Sequence, residues 1–118
     1  DNSERRRYAG WNLNAATESS KNSNFQSALH YYKSGIAFLS KVWTHDMKLC
    51  YSLYKGAAFV LLALGKAEQV PQYATVIINN VTFERSLEAR ILLIRSLDCT
   101  GSKNQETVDT ALAVLGKL

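Results

Sequence analysis

Proline occurs once in this chain, at Pro71, and cysteine and histidine occur twice each. With only six scattered glycines, the scarcity of proline argues against disorder and against a many-turned β architecture. The longest apolar stretch, residues 56–64, falls far short of the roughly 20 residues that cross a bilayer, and no charged-then-apolar signal segment opens the chain. No membrane association is therefore expected. Cys50 and Cys99 sit inside helical patterns and not in a spaced framework. Both read as reduced core residues of a cytoplasmic protein.

The chemistry that catalysis needs is equally sparse. His30 and His45 are far apart in sequence, and no cysteine or carboxylate pair stands at metal-ligand spacing beside them. His30 reads as a solvated rim residue and His45, next to Asp46, as a helix-start residue. Gly56 and Gly65 are isolated, so there is no phosphate-cradling loop, and no nucleophile elbow or Cys–His pair is suggested. The expectation is a chain without catalytic residues, metal or cofactor. The net charge of +4 is mild and does not by itself imply nucleic acid.

What is present is helical periodicity over one domain of 118 residues, 47% apolar and 20% charged. The chain begins at Asp1 and its last helical pattern still runs at Leu118, as expected of a segment from a longer protein. Tyr8, Trp11, Leu13, Ala15 and Ala16 mark a first helix, preceded by Glu4. The polar run 18–24 ends it, and Asn24 is in place to cap the next helix. Phe25, Ala28, Leu29, Tyr32, Ile36 and Leu39 recur at steps of three and four, giving a second amphipathic helix. Residues 40–45 form a connector.

A third helix over 46–64 is apolar on more than one face, which predicts a central position covered on two sides. Gly65 follows it where a left-handed C-cap is wanted. A fourth helix runs over 66–80, with Pro71 tolerated in its first turns. The β-branched run 75–78 could be a strand, but Val70, Ala74, Ile77 and Val81 fit helical spacing better. A fifth helix is read over 82–97, with Thr82 capping and Phe83, Leu87, Ala89, Arg90, Ile91, Ile94 and Leu97 on its pattern. A sixth runs over 105–118 with Val108, Ala111, Leu112 and Leu115.

Six antiparallel helices pair into three hairpins, with turns at Ser23-Asn24, Gly65-Lys66 and Gly101-Ser102. The turns recur at the mid-thirties to low-forties spacing of helix-hairpin repeats. One hairpin leaves apolar surface uncovered, and stacking completes the core. In the first, Ala16 and Ala28 supply small side chains where two helices must cross closely, and Tyr32 supplies an aromatic one turn on. These positions resemble the tetratricopeptide consensus, with Ser23 in place of its turn glycine and Ser40 in place of its closing proline. In the second hairpin Gly65 and Ala58 fit, while Val70 replaces a small residue. The resemblance implies an all-α, tetratricopeptide-like right-handed superhelix.

A second resemblance covers almost the whole chain. The stretch ALHYYKSGIAFL at 28–39, then Trp43, LYKGAA at 53–58, LG at 64–65 and TVDTALAVLG at 107–116 resemble the helical region of large multi-domain signalling ATPases. Such proteins join kinase-like, AAA-type ATPase, sensor and histidine-kinase domains. The resemblance implies a scaffold or protein-interaction module whose partners are flanking domains, a peptide or a second copy. A small-molecule sensor in the concave groove is the alternative, and it contributes no catalytic residue. Helix A of each hairpin lines the concave face of such stacks, so Asn12, Lys48, Tyr51, Lys55, Glu88 and Arg95 are the candidate binding residues. Trp43 and Phe59 are candidate interface anchors. The charge run Arg5-Arg6-Arg7 could contact phosphate or nucleic acid. The plainer reading is a solvated first turn linking to an upstream domain; since cations at a helix start oppose the macrodipole, the arginines could also lie before the helix proper or pair with Glu4.

Overall fold

The computed structural model describes residues 2–39 and 47–99. They form α1 (Asn2–Lys21), α2 (Phe25–Phe38), α3 (Met47–Ala63), α4 (Val70–Asn80, entered through the 3-10 turn Ala67–Gln69) and α5 (Leu87–Cys99). No strand occurs among the described residues, and the β-branched run 75–78 lies inside α4. The expected sixth helix and the connector 40–45, with Trp43 and His45, lie outside the described residues.

Helix α1 starts six residues earlier than Tyr8, at Asn2. Arg5, Arg6 and Arg7 are therefore exposed residues within its first turns, in keeping with a solvated first turn and not with a segment preceding the helix. Arginine is a good helix former, and Glu4 in the first turn offsets the unfavourable placement of cations at the positive end of the dipole. The buried positions of α1 are Ala9 and Ala16, with Leu13 half-buried between them. Trp11 points away from this stripe and is 57% exposed, so its place in the apolar pattern did not make it a core residue. These small side chains let α2 come close, and Ala28 on the facing helix is likewise fully buried.

The two complete hairpin turns share one design. After α1, Ser23 N–H donates to Ser20 O at 3.0 Å and Asn24 N–H to Ser19 O at 2.8 Å. After α3, Gly65 N–H donates to Leu62 O at 3.1 Å and Lys66 N–H to Leu61 O at 2.8 Å. Both are Schellman turns, and both need a residue at positive φ; Ser23 takes φ 60° and Gly65 φ 77°. Asn24 holds the N-cap position of α2, but its side chain makes no capping bond there. The helix is opened through the main chain alone, Ala28 N–H donating to Asn24 O at 3.0 Å.

Each helix packs on its successor, and α3 also touches α1 and α5. Helices α1, α3 and α5 thus form one layer, with α2 and α4 behind it. The central position expected of α3 is what the structure has: Leu53, Ala57, Ala58, Val60 and Leu61 on it are fully buried, each leucine contributing about 1.5–3 kcal/mol through desolvation. Two glycines set the approach of α2 to α3. A Cβ on Gly35 would stand 2.7 Å from Leu53 Cδ2, and one on Gly56 would collide with the Tyr32 ring.

Helix α5 departs most from its expected form. It begins at Leu87, not Thr82. Thr82 caps only a turn, with Ser86 N–H donating to Thr82 O at 3.0 Å. Ser86 then opens the helix, accepting Arg90 N–H at its carbonyl (2.9 Å) and Arg90 Nε at its hydroxyl oxygen (2.7 Å). Arg90 is buried, with its guanidinium 4.7 Å from the centre of the Phe83 ring. The helix buries Ala89, Arg90, Leu92, Leu93 and Ser96. Leu87 and Ile91, expected on the core side, are exposed. Cys99, also expected in the core, is exposed at the end of α5, whereas Cys50 is buried and outside any disulfide, as anticipated.

Candidate binding groove

The exposed side of the α1–α3–α5 layer carries a groove between α3 and α5. On α3, Lys48, Tyr51, Lys55 and Phe59 follow one another at steps of three and four, so one helical face presents all four. On α5, Glu88, Ile91 and Arg95 do the same. The two stripes enclose a hollow of about 650 Å³ bounded by Met47, Lys48, Tyr51, Arg85, Leu87 and Glu88. A second hollow of about 380 Å³ lies beyond it, against Tyr32, Lys55, Phe59, Glu88, Ile91 and Arg95.

Between the hollows stands an ion pair. Lys55 Nζ lies 2.5 Å from Glu88 Oε2, with side chains 38% and 63% exposed. Lys55 Nζ also sits 5.4 Å from the Tyr51 ring centre, and the Tyr51 hydroxyl and the Glu88 carboxylate interact electrostatically. Each member tunes its neighbours. The hydrogen bond to Glu88 raises the Lys55 ammonium above its ordinary value, against the opposing effect of partial burial. The same bond holds the Glu88 carboxyl below its ordinary value. Burial raises the Tyr51 hydroxyl, since the phenolate is poorly solvated there. Because the pair is open to water, its net worth is a fraction of a kcal/mol up to about 1 kcal/mol.

Of the residues singled out from sequence, Lys48, Tyr51, Lys55, Glu88 and Arg95 line this groove. Phe59 lines it too; it is 50% exposed, with its ring 6.4 Å from that of Phe25. Asn12 lies elsewhere. Its Nδ2 donates to Tyr8 O at 2.9 Å, and its Cβ faces Gly35 of α2. The three arginines of α1 do not line the groove. Sequence reasoning missed Glu84, Arg85, Leu87 and Ile91 as groove residues. Leu87 and Ile91 are one turn apart and share the stripe of Glu88 and Arg95, a signal masked by taking every apolar residue of α5 as core.

Among the described residues no group of three or more His, Cys, Asp or Glu could hold a metal ion. No helix among them is long and apolar enough to cross a membrane. His30 is exposed, with its ring 5.6 Å from that of Tyr31.

No family model, curated protein or solved structure matches this chain. Its groove has to be interpreted on its own chemistry.

Proposed function

We propose that this chain is a non-catalytic helical-repeat module that binds a protein segment along the α3–α5 groove. The observation that carries this reading is the pair of facing stripes. Two exposed apolar residues, Phe59 and Ile91, stand beside charged ones across a hollow of about 380 Å³, and grooves of mixed apolar and charged lining are where peptide segments dock. Half-exposed aromatic and aliphatic side chains of this kind anchor interfaces. The likeness to the helical region of signalling ATPases and kinases supports a scaffolding role beside such domains. The buried Cys50, outside any disulfide, suits the reducing cytoplasm. Nucleic acid is the weaker partner, since the arginines of α1 lie off the groove and Glu4 stands among them.

Panning an unbiased displayed-peptide library against the chain tests the reading. Selected peptides are expected to shift the amide resonances of Lys55, Phe59 and Ile91, and Phe59→Ala is expected to weaken them about fivefold or more. Failure to select any peptide, or shifts confined to α2 and α4, would remove the reading. The 650 Å³ hollow also falls within the size range of small-molecule sites, which favours a sensor as the second reading. A metabolite panel that raises the melting temperature where peptides do not would replace the first reading by the second.

A further inference from the structure

We infer that Glu88 is an internal stand-in for a ligand carboxylate, and that the partner segment carries an acidic residue which displaces it from Lys55. The inference rests on the peptide-binding reading and names its chemistry. Four cations line the two hollows, Lys48, Lys55, Arg85 and Arg95, against two carboxylates, Glu84 and Glu88. The groove is therefore electropositive, and its complement is acidic. Glu88 holds the one groove cation that is partly withdrawn from water, and it does so from an exposed side chain that can swing away. The Tyr51 ring flanks the Lys55 ammonium and keeps it in a fixed place, so that another carboxylate could take the position of Glu88.

The spacing defines the segment further. Lys55 and Phe59 are one helical turn apart, a rise of about 6 Å. Residues two apart in an extended peptide point the same way and are separated by about 6.6 Å. A ligand with a bulky apolar side chain two residues from an aspartate or glutamate therefore meets Phe59 and Ile91 with the first and Lys55 with the second. Arg95, one turn beyond Ile91 on α5, leaves a further cation at the apolar end.

The test uses fluorescein-labelled nonapeptides read by anisotropy: one with leucine and aspartate two residues apart, one with the same residues five apart, and one with asparagine for aspartate. The first is expected to bind best. Glu88→Gln frees Lys55 and is expected to tighten its binding about two- to fivefold, the range of an exposed ion pair. Lys55→Met is expected to abolish the preference for aspartate over asparagine. Glu84→Gln removes the same charge from the groove without touching Lys55. Equal tightening by Glu84→Gln and Glu88→Gln would overturn the inference by reducing it to net charge. So would library peptides that occupy the groove without acidic residues and are indifferent to Glu88→Gln, although peptide binding itself would then stand. If no peptide binds the groove, both fall. Thermal unfolding of each variant, with melting temperatures near that of the parent chain, keeps misfolding out of the comparison.

Discussion

At the scale of single residues, two turns of one geometry are served by different side chains. Ser23 holds a left-handed conformation that Gly65 holds without strain. A Cβ in that region costs about 1 kcal/mol. Ser23→Gly is accordingly expected to stabilise the chain by about 0.5–1 kcal/mol, and Gly65→Ala to destabilise it by about 1 kcal/mol, both read from urea unfolding midpoints. Gly65 was legible as a C-cap because glycine after an apolar helix has few other uses. Ser23 was legible only as the counterpart of a glycine, since serine fits many turn positions. Cys99 was misread because helical spacing says which residues share a face, but not which face the neighbouring helices cover. Helical spacing put Arg90 on the pattern of the fifth helix but did not reveal the means of burying its charge, which depends on Ser86 and Phe83 folding a turn ahead of α5.

At the scale of elements, glycine inside a helix has opposite meanings in α1 and α3. A Cβ on Gly10 meets nothing within 4 Å, whereas one on Gly56 runs into the ring of Tyr32. Alanine gains roughly 1 kcal/mol over glycine in a helix, and overpacking a filled site costs about 1–3 kcal/mol. Gly10→Ala is therefore expected to raise the unfolding free energy, and Gly56→Ala to lower it by up to about 2 kcal/mol, with near-ultraviolet circular dichroism reporting the displaced tyrosine. The existence, order and type of the five described helices were readable from apolar spacing, and so was the central place of α3. The start of α5 was not. Thr82 carries a plausible cap, but its first bonds close a turn, and the helix waits for Ser86. The groove was half legible. Its α3 stripe follows from helix phase alone, while its α5 stripe required knowing that Leu87 and Ile91 face away from the core.

At the scale of the whole molecule, Lys55 and Glu88 are the ion pair joining α3 to α5 among the described residues. Its pH dependence has two limits. Glu88 has its carboxyl lowered from 4.5, so its contribution is present above that value and disappears as pH falls through the lower folded value. Lys55 is raised from 10.5, so its contribution is full below that value and disappears as pH rises through the higher folded value. The stability difference between the parent chain and Lys55→Met is expected to be about 0.2–1 kcal/mol at neutral pH. It is expected to vanish in strong acid and strong alkali, as followed by thermal unfolding across pH. The same stacking order governs kinetics. Among the described residues, the substantial contacts join helices that are consecutive or one apart along the chain. Little loop-closure entropy has to be spent before native contacts form, so folding belongs to the microsecond-to-millisecond regime of local topologies. Pulled at α1, such a stack is expected to shed α1 and α2 first while α3, α4 and α5 hold.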